Sequence, residues 1–249
     1  MLKELDGIVL KSRDYGETHK IITMYTKQLG KMTALCRGAN KPKSRLSAVS
    51  QPFIYGEFFT YLSSKGLSTV QQATVKQSFR SIREDIIKTA YAAYITELLE
   101  KVVEERERDP FIFDQLTQTL QWINDKEDYF IPVMMFELKM FKKGGFLPVI
   151  ESCVRCNQTE GLQAFSVFEG GLLCANCSHI DPHARTIAPP LVKMLPILAH
   201  VPIERVGNIS VKQANIQLLR QLLDEYYERY GGYRLKSKRF LQQMDKFSL

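Results

Sequence analysis

Over the first 75 residues, apolar and polar positions alternate over short runs, and turn formers recur between them. Gly7–Lys11 and Lys20–Thr26 predict the first two strands, with the turn Asp14-Tyr15-Gly16-Glu17 between. Gln28-Leu29-Gly30-Lys31 turns into a third, where Met32, Ala34 and Cys36 alternate with Thr33, Leu35 and Arg37. Gly38, Asn40 and Pro42 then break the pattern and predict a loop. A fourth strand is predicted over Phe53–Leu62 and a fifth over Leu67–Val75. Five short strands with close turns predict a small closed barrel of the OB type, with an SH3-like barrel as the alternative. Phe53, Tyr55, Phe59 and Tyr61 share one face of the fourth strand. Aromatics at alternating positions predict an inward, core face; outward, they would stack on bases.

From about Ser81 the period becomes helical. Ile86, Ile87, Ala90, Tyr91, Tyr94, Ile95, Leu98, Leu99 and Val102 fall on one face. The run Glu104–Asp109 reads as a solvated helix end, stopped by Pro110. A second helix is predicted over Phe111–Ile123. A third, Tyr129–Lys143, is apolar nearly all round, which predicts a central position, and Gly144-Gly145 ends it. After Pro189-Pro190 come helices over Leu191–His200 and Val211–Tyr230. The second of these has Ile216, Leu219, Leu222, Leu223, Tyr226 and Tyr227 on its core side. The tail predicts a terminal helix docked through Leu235, Phe240 and Leu241, its basic residues solvated, with DNA contact by those residues as the alternative.

The fold class is therefore α+β: an N-terminal OB-type β-barrel over residues 1–79, an all-α domain over 80–249, and an insert of different composition over 150–185. With 249 residues, 45% of them hydrophobic, the chain can bury a real core. It has no apolar run long enough to span a membrane, and Met1–Asp6 lacks the apolar core of a signal peptide. The expectation is a cytoplasmic protein with no membrane role.

Charge placement sharpens this picture. The net charge is +7, but residues 1–80 hold thirteen Lys/Arg against five Asp/Glu, whereas residues 81–249 hold 21 against 22. Basicity confined to the barrel predicts a nucleic-acid footprint. It is densest in the acid-free stretch Gly30–Arg45, which carries Lys31, Arg37, Lys41, Lys43 and Arg45. These five are the candidate DNA-binding residues; Lys11, Arg13 and Lys20 rank after them. A loop kept soluble by its lysines is the plainer alternative.

Four of the five cysteines form two pairs, Cys153-Val-Arg-Cys156 and Cys174-Ala-Asn-Cys177, with seventeen residues between them. That spacing predicts a four-thiolate Zn2+ site. A closed cysteine quartet leaves no position for water or substrate, so the zinc is expected to be structural. It would hold a hairpin too small to fold alone. His179 and His183 lie nearby but are not needed as ligands.

No phosphate-binding glycine loop with Lys-Ser/Thr, no dinucleotide fingerprint and no nucleophile elbow occurs. The four histidines, His19, His179, His183 and His200, belong to no evident nucleophile-and-base set. The expectation is a non-enzymatic protein. A zinc-bearing adaptor and a zinc-dependent nucleic-acid enzyme are the alternatives.

Several runs together resemble a known family. They are Gly7-Ile-Val-Leu10, Tyr15-Gly-Glu-Thr18, Thr26–Gly30, Arg37-Gly38, Lys43-Ser-Arg-Leu46, Gln51-Pro-Phe53, the four-cysteine insert and Leu235-Lys-Ser-Lys-Arg-Phe240. In order and combination they resemble the RecO family of bacterial recombination mediators. The resemblance implies an OB barrel, a helical domain and an inserted zinc knuckle, the cysteines being absent in some members. It implies binding of single- and double-stranded DNA and annealing of complementary strands. It further implies action with RecR, and in some members RecF, to load RecA onto DNA coated by single-stranded-DNA-binding protein. The implied location is the cytoplasm, at the nucleoid.

Overall fold

The computed structural model describes residues 1–64, 66–206 and 211–247, so Lys65, part of the turn that Ser63-Ser64-Lys65-Gly66 predicts from sequence, lies outside the described residues. Five strands, β1 (Leu2–Tyr15), β2 (His19–Thr26), β3 (Gly30–Cys36), β4 (Tyr55–Tyr61) and β5 (Ser68–Gln77), close into a barrel in the order β1-β2-β3-β5-β4. Every neighbouring pair is antiparallel except β3–β5. Strand β1 is longer than expected because it serves two partners, β4 through Leu2–Ile8 and β2 through Gly7–Tyr15. Leu5, Val9, Ile22, Met24, Met32, Ala34, Cys36, Phe58 and Val70 fill the interior. A register shift between Val9 and Lys11 leaves Lys11 and Arg13 exposed beyond it.

The β4 aromatics contradict the inward expectation. Phe58 and Thr60 are fully buried, while Tyr55 and Phe59 are half-buried and Tyr61 is 54% exposed. Phe53 is buried, but it precedes the strand and has a φ of 68°. The interior is narrow here. Gly7 pairs with Gly56, and a Cβ on either would touch the Phe58 ring at 3.3–3.4 Å. One large ring fits inside, so its neighbours face out; Tyr55 sits edge-on to Phe113 at 5.8 Å.

A short helix, α1 (Arg45–Val49), follows the basic loop, with the Ser44 hydroxyl accepting from the Leu46 N–H at 3.3 Å. The long helical run divides into α2 (Arg80–Glu84) and α3 (Ile86–Val102). Between them Asp85 is extended, and its carboxylate caps the Ile87 and Lys88 N–H groups at 2.7 and 2.9 Å. Ile86 and Ile87, expected on the core face, lie exposed in this first turn.

The charged run is not a helix end. After α3 the chain lies against the barrel: Glu105 bridges to Lys31, and the Arg106 N–H donates to the Lys31 carbonyl at 2.9 Å. Gly30 permits this approach. Its φ is 70°, and a Cβ there would collide with the Glu107 carbonyl. Pro110 then opens α4 (Pro110–Asp125) at its first turn, with Asp109 as cap, rather than merely stopping a helix.

Close packing joins residues Met1–Glu127 and Leu235–Leu249 in one unit and Asp128–Arg234 in another. The last barrel strand ends at Gln77, and α2–α4 and the C-terminal helix belong to the barrel's unit. In that helix, α8 (Lys236–Phe247), Leu241 is buried as expected, as is Leu235 just before it, but Phe240 is 42% exposed. Lys238, expected in solvent, is instead buried with its ammonium 5.1 Å from the Tyr94 ring centroid. Glu97 of α3 accepts from the Lys236 and Ser237 N–H groups at 3.1 and 2.9 Å and caps the helix.

The other unit contains α5 (Phe130–Lys143), β6 (Leu162–Ser166), β7 (Gly171–Cys174), β8 (Arg185–Thr186), α6 (Pro189–His200) and α7 (Gln213–Tyr230). Every residue from Ile131 to Phe141 is buried, so α5 is central, as its all-round apolar pattern predicts. Phe141 packs on Phe146, Tyr226 and Tyr227 with centroids 4.9–6.1 Å apart. The six predicted core positions of α7 are its buried ones. Lys139 is buried and donates to the carbonyls of Leu198 and Val201 at the end of α6. Burial lowers its pKa to about 8. Among the described residues, no helix is long and apolar enough to cross a membrane.

Candidate nucleic-acid interface and metal centre

Strand β3 delivers the chain to the loop that bears Arg37, Lys41 and Lys43, and Arg45 opens α1 directly after it. The loop is held by polar ties to the β1–β2 turn. The Gly38 N–H donates to His19 Nδ1 at 2.9 Å, and the Asn40 N–H donates to the Thr18 carbonyl at 2.9 Å. Asn40 Nδ2 also reaches Asp14 Oδ1 at 2.8 Å. Within the loop, the Lys41 N–H donates to the Gly38 carbonyl and the Ser44 N–H to the Lys41 carbonyl. Arg37, Lys41, Lys43 and Arg45 are all exposed on this braced backbone. Asp14 of β1 is engaged with Asn40 and lies 3.8 Å from Lys20.

Lys31 departs from its expected role. It is half-buried, and its ammonium donates to the carbonyls of Glu100 and Val103 at 2.8 and 2.6 Å. A cation at the C-terminus of α3 satisfies orphan carbonyls and opposes the negative end of the helix dipole. Its charge is therefore directed into the fold. In sequence Lys31 is indistinguishable from its basic neighbours; only the helix 70 residues later reveals its task.

The lower-ranked Lys11 and Arg13 lie exposed on β1, two residues apart and hence on one face. Beside them stand Thr23 of β2 and Thr33 of β3, which the sequence reading did not single out. Their signal was the alternation of the apolar interior residues, which places both threonines outside.

The second constellation lies in the unit of α5. Cys153, Cys156, Cys174 and Cys177 place their four sulfurs within 4.8 Å of one another. Cys153 and Cys156 sit on a turn closed by the Asn157 N–H donating to the Cys153 carbonyl, with Asn157 at a φ of 61°. Cys174 ends β7, and the Cys177 N–H donates to the Cys174 carbonyl. Strands β6 and β7 form the expected hairpin between the pairs. Ser166 donates to the buried Asp181, bracing the hairpin against the following turn.

The donor set fits a tetrahedral ion. Thiolates about 2.3 Å from zinc stand roughly 3.8 Å apart, and Cys156 Sγ lies 3.7 Å from Cys174 Sγ. No disulfide consumes the thiols. Burial raises the Cys153 thiol, but N–H groups of Cys174, Cys156 and Arg155 outweigh it and bring it down to about 6. Cys177 is pushed up to about 12, by burial first and then by the other three sulfurs. One anion is favoured here while further ones repel, which is the electrostatic demand that a divalent cation meets. No histidine joins this group among the described residues. The fifth cysteine, Cys36, is buried in the barrel, where burial raises its pKa to about 12.

Comparison with known proteins agrees with both halves of the chain. The family model described as Recombination protein O N terminal matches residues 1–79, and Recombination protein O C terminal matches residues 83–239. The chain belongs to the RecO family. A protein named DNA repair protein RecO from Oceanobacillus iheyensis is 51% identical over 99% of this chain and 95% of its own length. The like-named protein of Bacillus subtilis is 42% identical over 98% of the chain and 96% of its own length. That of Bacillus mycoides is 40% identical over the full length of both.

Proposed function

We propose that this RecO family member is a DNA repair and recombination mediator that works by holding strands rather than by chemistry. In this reading the barrel, residues 1–79, is an OB-type DNA-binding domain. It binds single- and double-stranded DNA and anneals complementary strands. With RecR, and in some settings RecF, it helps load RecA onto DNA coated by single-stranded-DNA-binding protein, in the cytoplasm at the nucleoid. The strand order β1-β2-β3-β5-β4 supports the OB assignment.

The observation that carries the proposal is the braced loop. Arg37, Lys41, Lys43 and Arg45 project from a backbone tied to His19, Thr18 and Asp14, with no acid between them in sequence. Annealing brings two polyanions together. That step needs phosphates neutralised without fixing the bases, so that pairing edges stay free. A backbone braced before binding loses less entropy on contact than a mobile one. The proposed ion for the four thiolates is structural Zn2+, held by Cys153, Cys156, Cys174 and Cys177. When bound it supplies folding energy to the β6–β7 hairpin. These residues pin two turns together and take no part in gripping DNA.

The test is annealing of complementary oligonucleotides pre-coated with single-stranded-DNA-binding protein, with and without RecR. Wild type is expected to anneal them. The Arg37→Ala/Lys41→Ala/Lys43→Ala variant is expected to be slow at the same protein concentration. Equal annealing by the two proteins would refute the loop as the contact. Strand cleavage abolished by chelation would favour the enzyme alternative.

A further inference from the structure

The outer face of β1–β3 holds a cleft of about 120 Å³, lined by Lys11, Arg13, Ile21, Thr23 and Thr33. Strand register explains its composition. Lys11 pairs with Thr23, and Thr23 with Thr33, so a cation and two hydroxyls form one row across three strands. Arg13 pairs with Ile21 in the next row. On the other side of the first row, Tyr25 pairs with Lys31, and that end is covered. The Tyr25 hydroxyl donates to the Asp109 carbonyl at 3.4 Å, and Lys31 closes α3. The cleft is therefore what remains open of this face between the helix end and the basic loop.

Three of its four donors are unengaged. Among the described residues, Arg13 has no ion pair, and the hydroxyls of Thr23 and Thr33 have no hydrogen-bond partner. Lys11 lies 3.9 Å from Glu100 of α3, both partly exposed, an ion pair of little net worth that is readily exchanged. Asp14, farther along β1, is taken by Asn40 and Lys20. Two cations and two hydroxyls converging on this cleft suit a tetrahedral oxyanion.

We propose that this cleft is a fixed phosphate site, taking one internal phosphodiester of a single strand while the loop cations grip its neighbours. This rests on the DNA-binding reading above and adds to it a built subsite on rigid strands. The strand would run from the cleft past Arg13 toward Arg37, its register set by one seated phosphate. Sequence is not read, because only backbone atoms are held.

Neutral substitutions separate a built site from diffuse charge. Thr23→Val/Thr33→Val keeps shape and charge but removes both hydroxyls. It is expected to weaken single-strand binding about tenfold and leave the salt slope unchanged. Arg13→Gln, at an exposed position, is expected to weaken binding and reduce the slope by about 0.7, one phosphate contact. Orthophosphate alone, titrated into 15N-labelled full-length protein, is expected to shift the amides of residues 13, 23 and 33, and to need a higher phosphate concentration to do so in the double valine variant. Oligonucleotides with and without a 5′-phosphate are expected to bind equally. A clear preference for the phosphorylated end would overturn the internal assignment. If the double valine variant and Arg13→Gln both bind DNA and orthophosphate like wild type, the cleft is not a phosphate site. Should the Arg37/Lys41/Lys43 alanine variant still be weakened in that case, the DNA-binding reading stands without the cleft. If none of the variants changes binding, both fall.

Discussion

Replacing Lys31 by methionine separates a structural lysine from a DNA-binding one, because the two roles move opposite readouts. Methionine keeps the apolar stem and deletes the ammonium, which donates to two carbonyls at the end of α3. Hydrogen bonds to a charged group contribute about 1.5–3 kcal/mol each, and a cation at a helix C-terminus about 0.3–1 kcal/mol. Lys31 is only half-buried, so water can reach the freed carbonyls and the desolvation cost of the ammonium is recovered. The net loss is therefore expected near 2 kcal/mol, or roughly 4–8 °C in Tm for a chain of this size. Urea unfolding at pH 7 measures the first quantity, and single-strand binding against salt measures the second. The expected result is lower stability with an unchanged salt slope. Stability within about 0.5 kcal/mol of wild type, with a slope shallower by about 0.7, would show that Lys31 contacts phosphate and would refute its assignment to the helix end.

Gly30→Ala should be costly, since the left-handed backbone alone penalises a Cβ by roughly 1–2 kcal/mol and the Glu107 carbonyl blocks the space; a loss above ~2 kcal/mol in urea unfolding is expected. Burial acts to raise the Glu97 carboxyl, but the donors at Ser237 and Lys236 outweigh it and leave its pKa below the usual 4.5. A lowered carboxylate pKa stabilises the fold above the unfolded value and loses that contribution as pH falls through the folded one. Glu97→Gln should thus be destabilising at pH 7, and the difference from wild type should shrink on titration below about pH 4.5. Purified protein should carry one zinc per chain by elemental analysis. Chelation or Cys156→Ser should release it and open residues 150–185 to protease, and acid should do the same as the thiolates take up protons.

What the sequence conveyed is what local pattern encodes. Alternation located the strands, the helical period located α3–α7, and Cys-x-x-Cys spacing brought four sulfurs together across seventeen residues. What it concealed depends on partners distant in the chain. The outward turn of Tyr55, Phe59 and Tyr61 follows from Gly7 and Gly56 sharing the interior with Phe58, a pairing that no local window contains. Glu104–Asp109 has the composition of a solvated helix end, yet it lies along the barrel because Lys31 ends α3 and Gly30 admits the backbone. Lys238 and Phe240 exchange their expected environments because Tyr94 offers a ring face to the ammonium. For the site, charge density found the loop. The row of Lys11, Thr23 and Thr33 emerged only with strand register, since its members lie ten or more residues apart.

Exposed loop cations on the barrel are proposed to hold strand phosphates. The most direct measurement is the dependence of single-strand affinity on salt for wild type and for Arg37→Ala/Lys41→Ala/Lys43→Ala. Three lost phosphate contacts should make the slope of log K against log salt shallower by about 2, equally for any base sequence. A variant with the slope and affinity of wild type would contradict the account.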